Sequence, residues 1–526
     1  MHHVEPVVLV LCFVAALVII ANKVAIPYPM LLVLGGLALS FVPILPVIRL
    51  DPELVFFLFL PPLLYPAGLF TSWRDFRRNL RPILFLAIGL VLITMTVVAW
   101  VAHSFMVGLP WAAAFALGAI VSPPDAVAAE AILKRLRVPL RIEAILEGES
   151  LVNDATALVA YQFAVAAMVT GQFSLGAASG RFFFVGLGGV VLGLLVGFVI
   201  RRAQRPLNDP PVQITISLLT PFAAYLLAER VGVSGVLATV TAGVYLGWHS
   251  TALPARTRLQ AQAFWEMIEF LLNGFIFVVI GLQLPEILRN LSREPFSRLV
   301  GYALLISATV VLVRIAWVFP ATYLPRWFSR KLRARDPAPP WRHSVLIAWS
   351  GMRGVVSLAA AFALPLVLDN GRAFPGRSDI LFLTFCVILT TLVFQGLTLP
   401  LLIRGLGIVD DGAADREERE ARLKANEAAV DFIEARALAE QMPEEVMIRV
   451  RAEYCDRIAQ LETCAGDRDN PGGDVATPIY QQLQYGALGV ERKTIIALRN
   501  SHQINDRALR HIQRDLDLAE ARLTGD

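Results

Sequence analysis

Charged side chains are scarce in this chain. Asp, Glu, Lys and Arg make up 17% of its 526 residues, against about 25% in an average soluble protein. Hydrophobic residues reach 56%, more than a single water-soluble globule of this length can hide. Cysteine is rare too, and Cys12, Cys386, Cys455 and Cys464 form no disulfide or zinc spacing. The first residues, Met1-His2-His3-Val4-Glu5, lack the basic start and small-residue cleavage site of a secretory leader. The first apolar run is therefore expected to stay as a spanning helix. No nucleotide-binding loop is present, which argues against transport driven by ATP.

The shortage of charge is uneven. Residues 410–526 hold 24 acidic and 16 basic residues, a net of −8, whereas residues 1–409 carry a net of +12. The chain thus reads as an all-α membrane body, 1–409, followed by a charged helical tail, 410–526. Helical periodicity in the tail covers about 415–461, with a break at Met442-Pro443, and about 478–522. The turn-rich stretch 465–473 separates them.

A spanning helix needs roughly 20 mainly apolar residues. Thirteen runs qualify: 5–22, 27–44, 53–70, 81–106, 110–134, 143–170, 181–202, 211–229, 232–248, 263–286, 297–324, 342–367 and 378–404. A count of twelve stays open, because only Glu229-Arg230-Val231 divides the eighth run from the ninth. One alternate set of loops holds 20 Lys and Arg residues and the other holds 8. The richer set is expected to face the cytoplasm, with the N-terminus outside and the tail inside. The basic excess then records topology in a cell (inner) membrane, and a nucleic-acid partner loses its main support.

Ionisable groups inside spans are costly and mark function. In the fifth run, Ser122-Pro123-Pro124-Asp125 places two prolines at mid-span, where they remove backbone donors and break the helix. In the sixth, Glu147-Gly148-Glu149-Ser150-Leu151-Val152-Asn153-Asp154 puts Ser150 and Asp154 on one helical strip and Glu149 and Asn153 on a neighbouring one. The twelfth supplies a cation, Arg353, between Gly351 and Gly354, suited to pairing with a buried acid. At about 1.5 Å per residue, Asp125, Asp154 and Arg353 lie roughly 14, 20 and 17 Å from the basic loops. All three are near the middle of a bilayer core about 30 Å thick. Glu266 and Glu269 belong near the cytoplasmic mouth, attracting cations or simply solvated, and Asn273 suits a helix–helix hydrogen bond.

Taken together, Gly148-Glu149-Ser150-Leu151-Val152-Asn153-Asp154-Ala155, Ser122-Pro123-Pro124-Asp125-Ala126-Val127-Ala128 and Gly351-Met352-Arg353-Gly354 resemble the first monovalent cation:proton antiporter family. Bacterial sodium/proton antiporters and eukaryotic sodium/proton exchangers belong to it. The resemblance covers most of residues 5–405. It implies thirteen transmembrane helices in an inverted-repeat antiporter fold, with crossed, unwound fifth and twelfth spans, and a homodimer. It also implies that Asp154 and Asp125 bind Na+ or a proton and that Ser150 contributes a ligand. Glu149 paired with Arg353, with Asn153 nearby, is implied as structural support. The Asn153-Asp154 pair resembles electroneutral members. Pro124 stands where some members have a threonine ligand.

The implied activity is Na+ (or Li+) exchange for H+ by alternating access, one for one, serving sodium transport and pH homeostasis, with no cofactor and no enzymatic step. A K+/H+ antiporter is the alternative. A cation channel and an intramembrane aspartyl protease using Asp125 and Asp154 are remote ones, since Arg353 and the double-proline break suit neither.

Overall fold

The structure is a computed structural model. It describes residues 4–24, 27–41, 55–136, 138–170, 175–250, 253–289, 291, 295–369, 371–410, 412–440, 443–466 and 487–498, with 501, 512, 513, 516, 518 and 519. Most of the expected 478–522 run, the ends of the second run at 42–44 and the start of the third at 53–54 lie outside the described residues.

The chain enters with α1 (Val4–Val24), α2 (Tyr28–Leu39) and α3 (Leu60–Phe70), the last preceded by a π-helical turn at Val55–Phe59. Short α4 (Trp73–Arg78) leads into a rod made of α5 (Leu80–Leu84), a π-helical stretch Phe85–Leu90 and α6 (Val91–Phe105). Next come α7 (Trp111–Val121), α8 (Ala126–Leu136) and α9 (Leu140–Thr170). They are followed by α10 (Leu175–Gln204), α11 (Pro210–Val231), α12 (Gly235–Trp248), α13 (Ala255–Leu282) and α14 (Leu284–Arg289). The body closes with α15 (Phe296–Phe328), α16 (Arg330–Arg335), α17 (Trp341–Trp349), α18 (Val355–Phe362), α19 (Arg377–Thr390) and α20 (Gly396–Leu406).

Among the described residues, eight helical rods are long and apolar enough to cross a membrane, and four shorter apolar helices accompany them. This is an all-helical membrane protein. Helices satisfy their own backbone groups where lipid offers no partner. The apolar core joins α6, α7, α9, α13, α15 and α17–α19. Small residues allow close helix contacts: a Cβ on Gly243 would press on the Tyr65 carbonyl, so α12 lies directly against α3.

The chain divides into two compact units, Met1–Asp410 and Asp411–Asp526. The second contains α21 (Ala413–Glu440) and α22 (Glu444–Gly466), tied by an Arg451–Glu434 ion pair at 2.9 Å. Pro443 directly precedes α22. Proline is tolerated there because the first-turn N–H groups have no helical partner.

Candidate ion-binding site

Two rods are interrupted inside the body. The double proline opens the chain between α7 and α8, and Ser350–Gly354 separates α17 from α18. The interruptions lie against each other: the Asp125 N–H donates to the Met352 carbonyl at 2.7 Å. Each break frees carbonyls at one helix end and N–H groups at the next. Arg353 Nε donates to the Val121 carbonyl at the end of α7, at 3.1 Å. Arg314 donates to the Ile347 carbonyl near the end of α17, from Nε at 3.2 Å and Nη2 at 3.1 Å. Asp125 Oδ1 accepts from the Val127 N–H at the start of α8, at 3.0 Å. Cations thus sit at two C-terminal helix ends and a carboxylate at an N-terminal one, the placement that helix dipoles favour. Gly354 permits the crossing, because a Cβ there would collide with the Asp125 carboxylate.

Helix α9 carries the remaining groups. Asn153 Nδ2 donates to the Pro124 carbonyl at 2.7 Å, so the amide anchors α9 to the broken rod. Glu149 is 1% exposed, and its partner corrects the sequence-based expectation. Arg314 of α15, not Arg353, takes the carboxylate, with Nη1–Oε1 at 2.5 Å and Nη2–Oε2 at 2.8 Å. Arg353 instead donates to the backbone carbonyls of Val121 and Gly351. The reason is steric: Gly351 has no side chain, and the Arg314 stem occupies that space on its way to Glu149. Sequence reasoning passed over Arg314, although a signal existed, since it is an arginine in the interior of the run 297–324.

Ser150 and Asp154 line a cavity of about 460 Å³ together with Asp125. Glu149 and Asn153, on the neighbouring strip of α9, do not line it. Asp154 is 7% exposed. Ser357 of α18 also lines the cavity, and its buried hydroxyl has no hydrogen-bond partner. The sequence reading did not single it out. The donors at the deep end are oxygens, the ligand type that hard cations take. Toward the ends of α8 and α9 that carry the basic loops, Glu130, Glu147, Glu266, Glu269 and Lys134 line the same space, and Asn273 joins them. Glu266 and Gln262 are exposed there, so the cavity reaches the surface at that end. An apolar cluster of Leu60 and Leu64 of α3, Leu151 and Ala155 of α9, and Val236 and Val240 of α12 packs beside the cavity, and Leu60, Leu64 and Leu151 also line it.

A cavity with carboxylates and hydroxyls at its deep end, set at paired helix breaks, is the kind of site that ion carriers build at membrane depth. Comparison with known proteins agrees. Residues 8–405 match the family model described as sodium/hydrogen exchanger, transmembrane, and the chain belongs to this family. It is 36% identical over 526 residues to an uncharacterized Na(+)/H(+) exchanger of Mycobacterium tuberculosis (strain ATCC 25618 / H37Rv), covering 98% of this chain and 96% of that one. The sodium, potassium, lithium and rubidium/H(+) antiporter of Bacillus subtilis (strain 168) is 40% identical over 410 residues, 75% of this chain and 61% of its own. The fold is similar to that of the sodium proton antiporter MjNhaP1 from Methanocaldococcus jannaschii, with a TM-score of 0.62 and 21% identity. That match covers 77% of this chain and 98% of the other.

Proposed function

We propose that this sodium/hydrogen exchanger moves one Na+ against one H+ by alternating access, with Asp154 and Asp125 as the carboxylates that exchange them. The observation that carries the reading is the shared cavity of Asp154, Asp125, Ser150 and Ser357 at the paired breaks. A carboxylate cut off from water is costly bare, so it holds either a proton or a cation. Na+ and H+ then exclude each other at one site, and loading on one side with release on the other gives exchange without ATP. Asn153 is neutral and spends its amide on Pro124, which supports electroneutral exchange. Ser150 and Ser357 supply hydroxyl ligands, while the Glu149–Arg314 pair and Arg353 hold the frame.

The carboxylates at the open end raise the local cation concentration. With the basic loops facing the cytoplasm, the cavity is inward-open. Thirteen spans, an inverted repeat, an external N-terminus, a cytoplasmic tail, a cell membrane location and a homodimer complete the proposal. Li+ is expected as a second substrate. K+ is the alternative, favoured by one relative, the Bacillus subtilis antiporter named for potassium as well as sodium.

The test uses everted vesicles with titrations of Na+, Li+ and K+, with and without a membrane potential. The wild type is expected to show Na+-driven pH change insensitive to the potential, and Asp154→Asn to abolish it. Normal exchange by Asp154→Asn would overturn the site assignment. A response to K+ alone would overturn the choice of Na+.

A further inference from the structure

A second cavity lies at the end of the body that carries the basic loops. It has a volume of about 1,210 Å³ and is walled by Arg74, Arg77, Arg78, Arg81, Arg141 and Arg335, with Asp336 as the only carboxylate among the described residues that line it. That carboxylate is already used. Its Oδ2 accepts from Arg81 at 2.9 Å and Arg326 at 2.8 Å, and its Oδ1 from Arg141 at 2.7 Å. Burial alone would push the Asp336 carboxyl up, but the bond to Arg141 and the charges of Arg141, Arg326 and Arg81 hold it below its ordinary value. The charge of the groove is therefore far from balanced. Arg81 also has two buried nitrogens, Nε and Nη1, without an acceptor among the described residues, and a buried guanidinium hydrogen that lacks an acceptor is costly.

The rest of the wall is apolar and runs into the membrane. Leu80, Leu84, Phe85, Ile88 and Gly89 line it along α5 and the π-helical stretch. Leu80, Leu84 and Phe85 stand exposed at 37–40%. From Arg81 to Gly89 the helix rises about 12 Å, from the interface to well inside the hydrocarbon. At the start of the π-helical stretch, the Trp317 indole of α15 donates to the Phe85 carbonyl at 2.9 Å. That contact fixes the slope of the apolar wall against α15. A groove that is cationic at the headgroup level and apolar below it matches an amphiphile with an anionic head.

We propose that this groove binds an anionic phospholipid, its phosphate among Arg74, Arg77, Arg78 and the free nitrogens of Arg81, its acyl chain along Leu84, Phe85 and Ile88. Guanidinium groups suit phosphate oxygens because they donate two parallel hydrogen bonds. Basic pockets between membrane helices select anionic headgroups by the same contacts. The apolar wall is what distinguishes a lipid from a free phosphate. Neither the groove nor its residues belong to the ion cavity, so the proposal stands or falls apart from the transport site.

The experiment is native mass spectrometry of the full chain in detergent, titrated with dioleoylphosphatidylglycerol or dioleoylphosphatidylcholine. The wild type is expected to retain phosphatidylglycerol at least about tenfold better than phosphatidylcholine, which corresponds to about 1.4 kcal/mol. The triple variant Arg74→Gln/Arg77→Gln/Arg78→Gln changes only exposed residues that make no contact with Asp336, so it leaves the Asp336 cluster intact. It is expected to lose that preference. Leu84→Asn is expected to weaken retention without changing the charge pattern of the rim. A control triple, Arg201→Gln/Arg202→Gln/Arg205→Gln, removes the same charge elsewhere and is expected to retain the lipid. Equal loss in the control, equal retention of both lipids, or displacement by 10 mM inorganic phosphate would each overturn the proposal, the last by showing an anion site without an acyl chain.

Discussion

Two arginines answer one problem at the residue scale. Each broken rod ends in carbonyls with no helical partner, and a guanidinium covers each end, Arg353 over Val121 and Arg314 over Ile347. Arg314 carries a second task, since its fork also holds the buried Glu149. Removing one member of a buried pair strands the other as an uncompensated charge, at about 3–5 kcal/mol. Arg314→Met is therefore expected to lower stability by about that amount, read by denaturant unfolding in detergent. The double variant Glu149→Gln/Arg314→Met is expected to lose less than the two singles combined, while Glu149→Gln and Arg353→Met, which interact only through their charges, are expected to couple more weakly. Additivity in the first cycle together with strong coupling in the second would restore the Glu149–Arg353 pairing.

At the scale of elements, the site is made by places where helices stop. Pro123 and Pro124 end α7, and Gly354 lets the start of α18 approach Asp125 closely enough to exclude a Cβ. Overpacking at such a contact costs about 1–3 kcal/mol. Gly354→Ala is expected to raise the Na+ concentration for half-maximal exchange roughly tenfold, at about 1.4 kcal/mol per decade. The assay is Na+-dependent dequenching of a pH dye in everted vesicles. An unchanged half-maximal concentration would show that Asp125 does not need this position. The breaks were legible from the prolines and glycines, and the two strips of α9 from their spacing. Ser357 was not legible, because a serine on an apolar helix carries no charge signal and only its aim into the cavity distinguishes it.

For the molecule as a whole, one cavity runs from the paired breaks to the face with the basic loops, with an apolar cluster packed beside it. In a background free of Cys12, Cys386, Cys455 and Cys464, Ser150→Cys and Glu266→Cys are expected to react with a membrane-impermeant thiol reagent. Reaction is expected from the cytoplasmic face of everted vesicles. Leu158→Cys, packed against the apolar cluster, is expected to stay unreactive there. Labelling of Ser150→Cys only from the opposite face would reverse the assigned orientation.

Composition and periodicity by themselves determined that the body belongs in a membrane, where its rods break, and which acids on α9 share a face. These follow from local rules, since burial in lipid, proline chemistry and the helical repeat act over a few residues. Tertiary structure alone decided that Glu149 meets Arg314, 165 residues away, and that Ser357 joins Asp125 and Asp154 around one cavity. A helical repeat tells which face a side chain occupies on its own helix. Which neighbouring helix that face meets depends on how the rods cross, and here a single missing side chain at Gly351 lets Arg314 through to the acid.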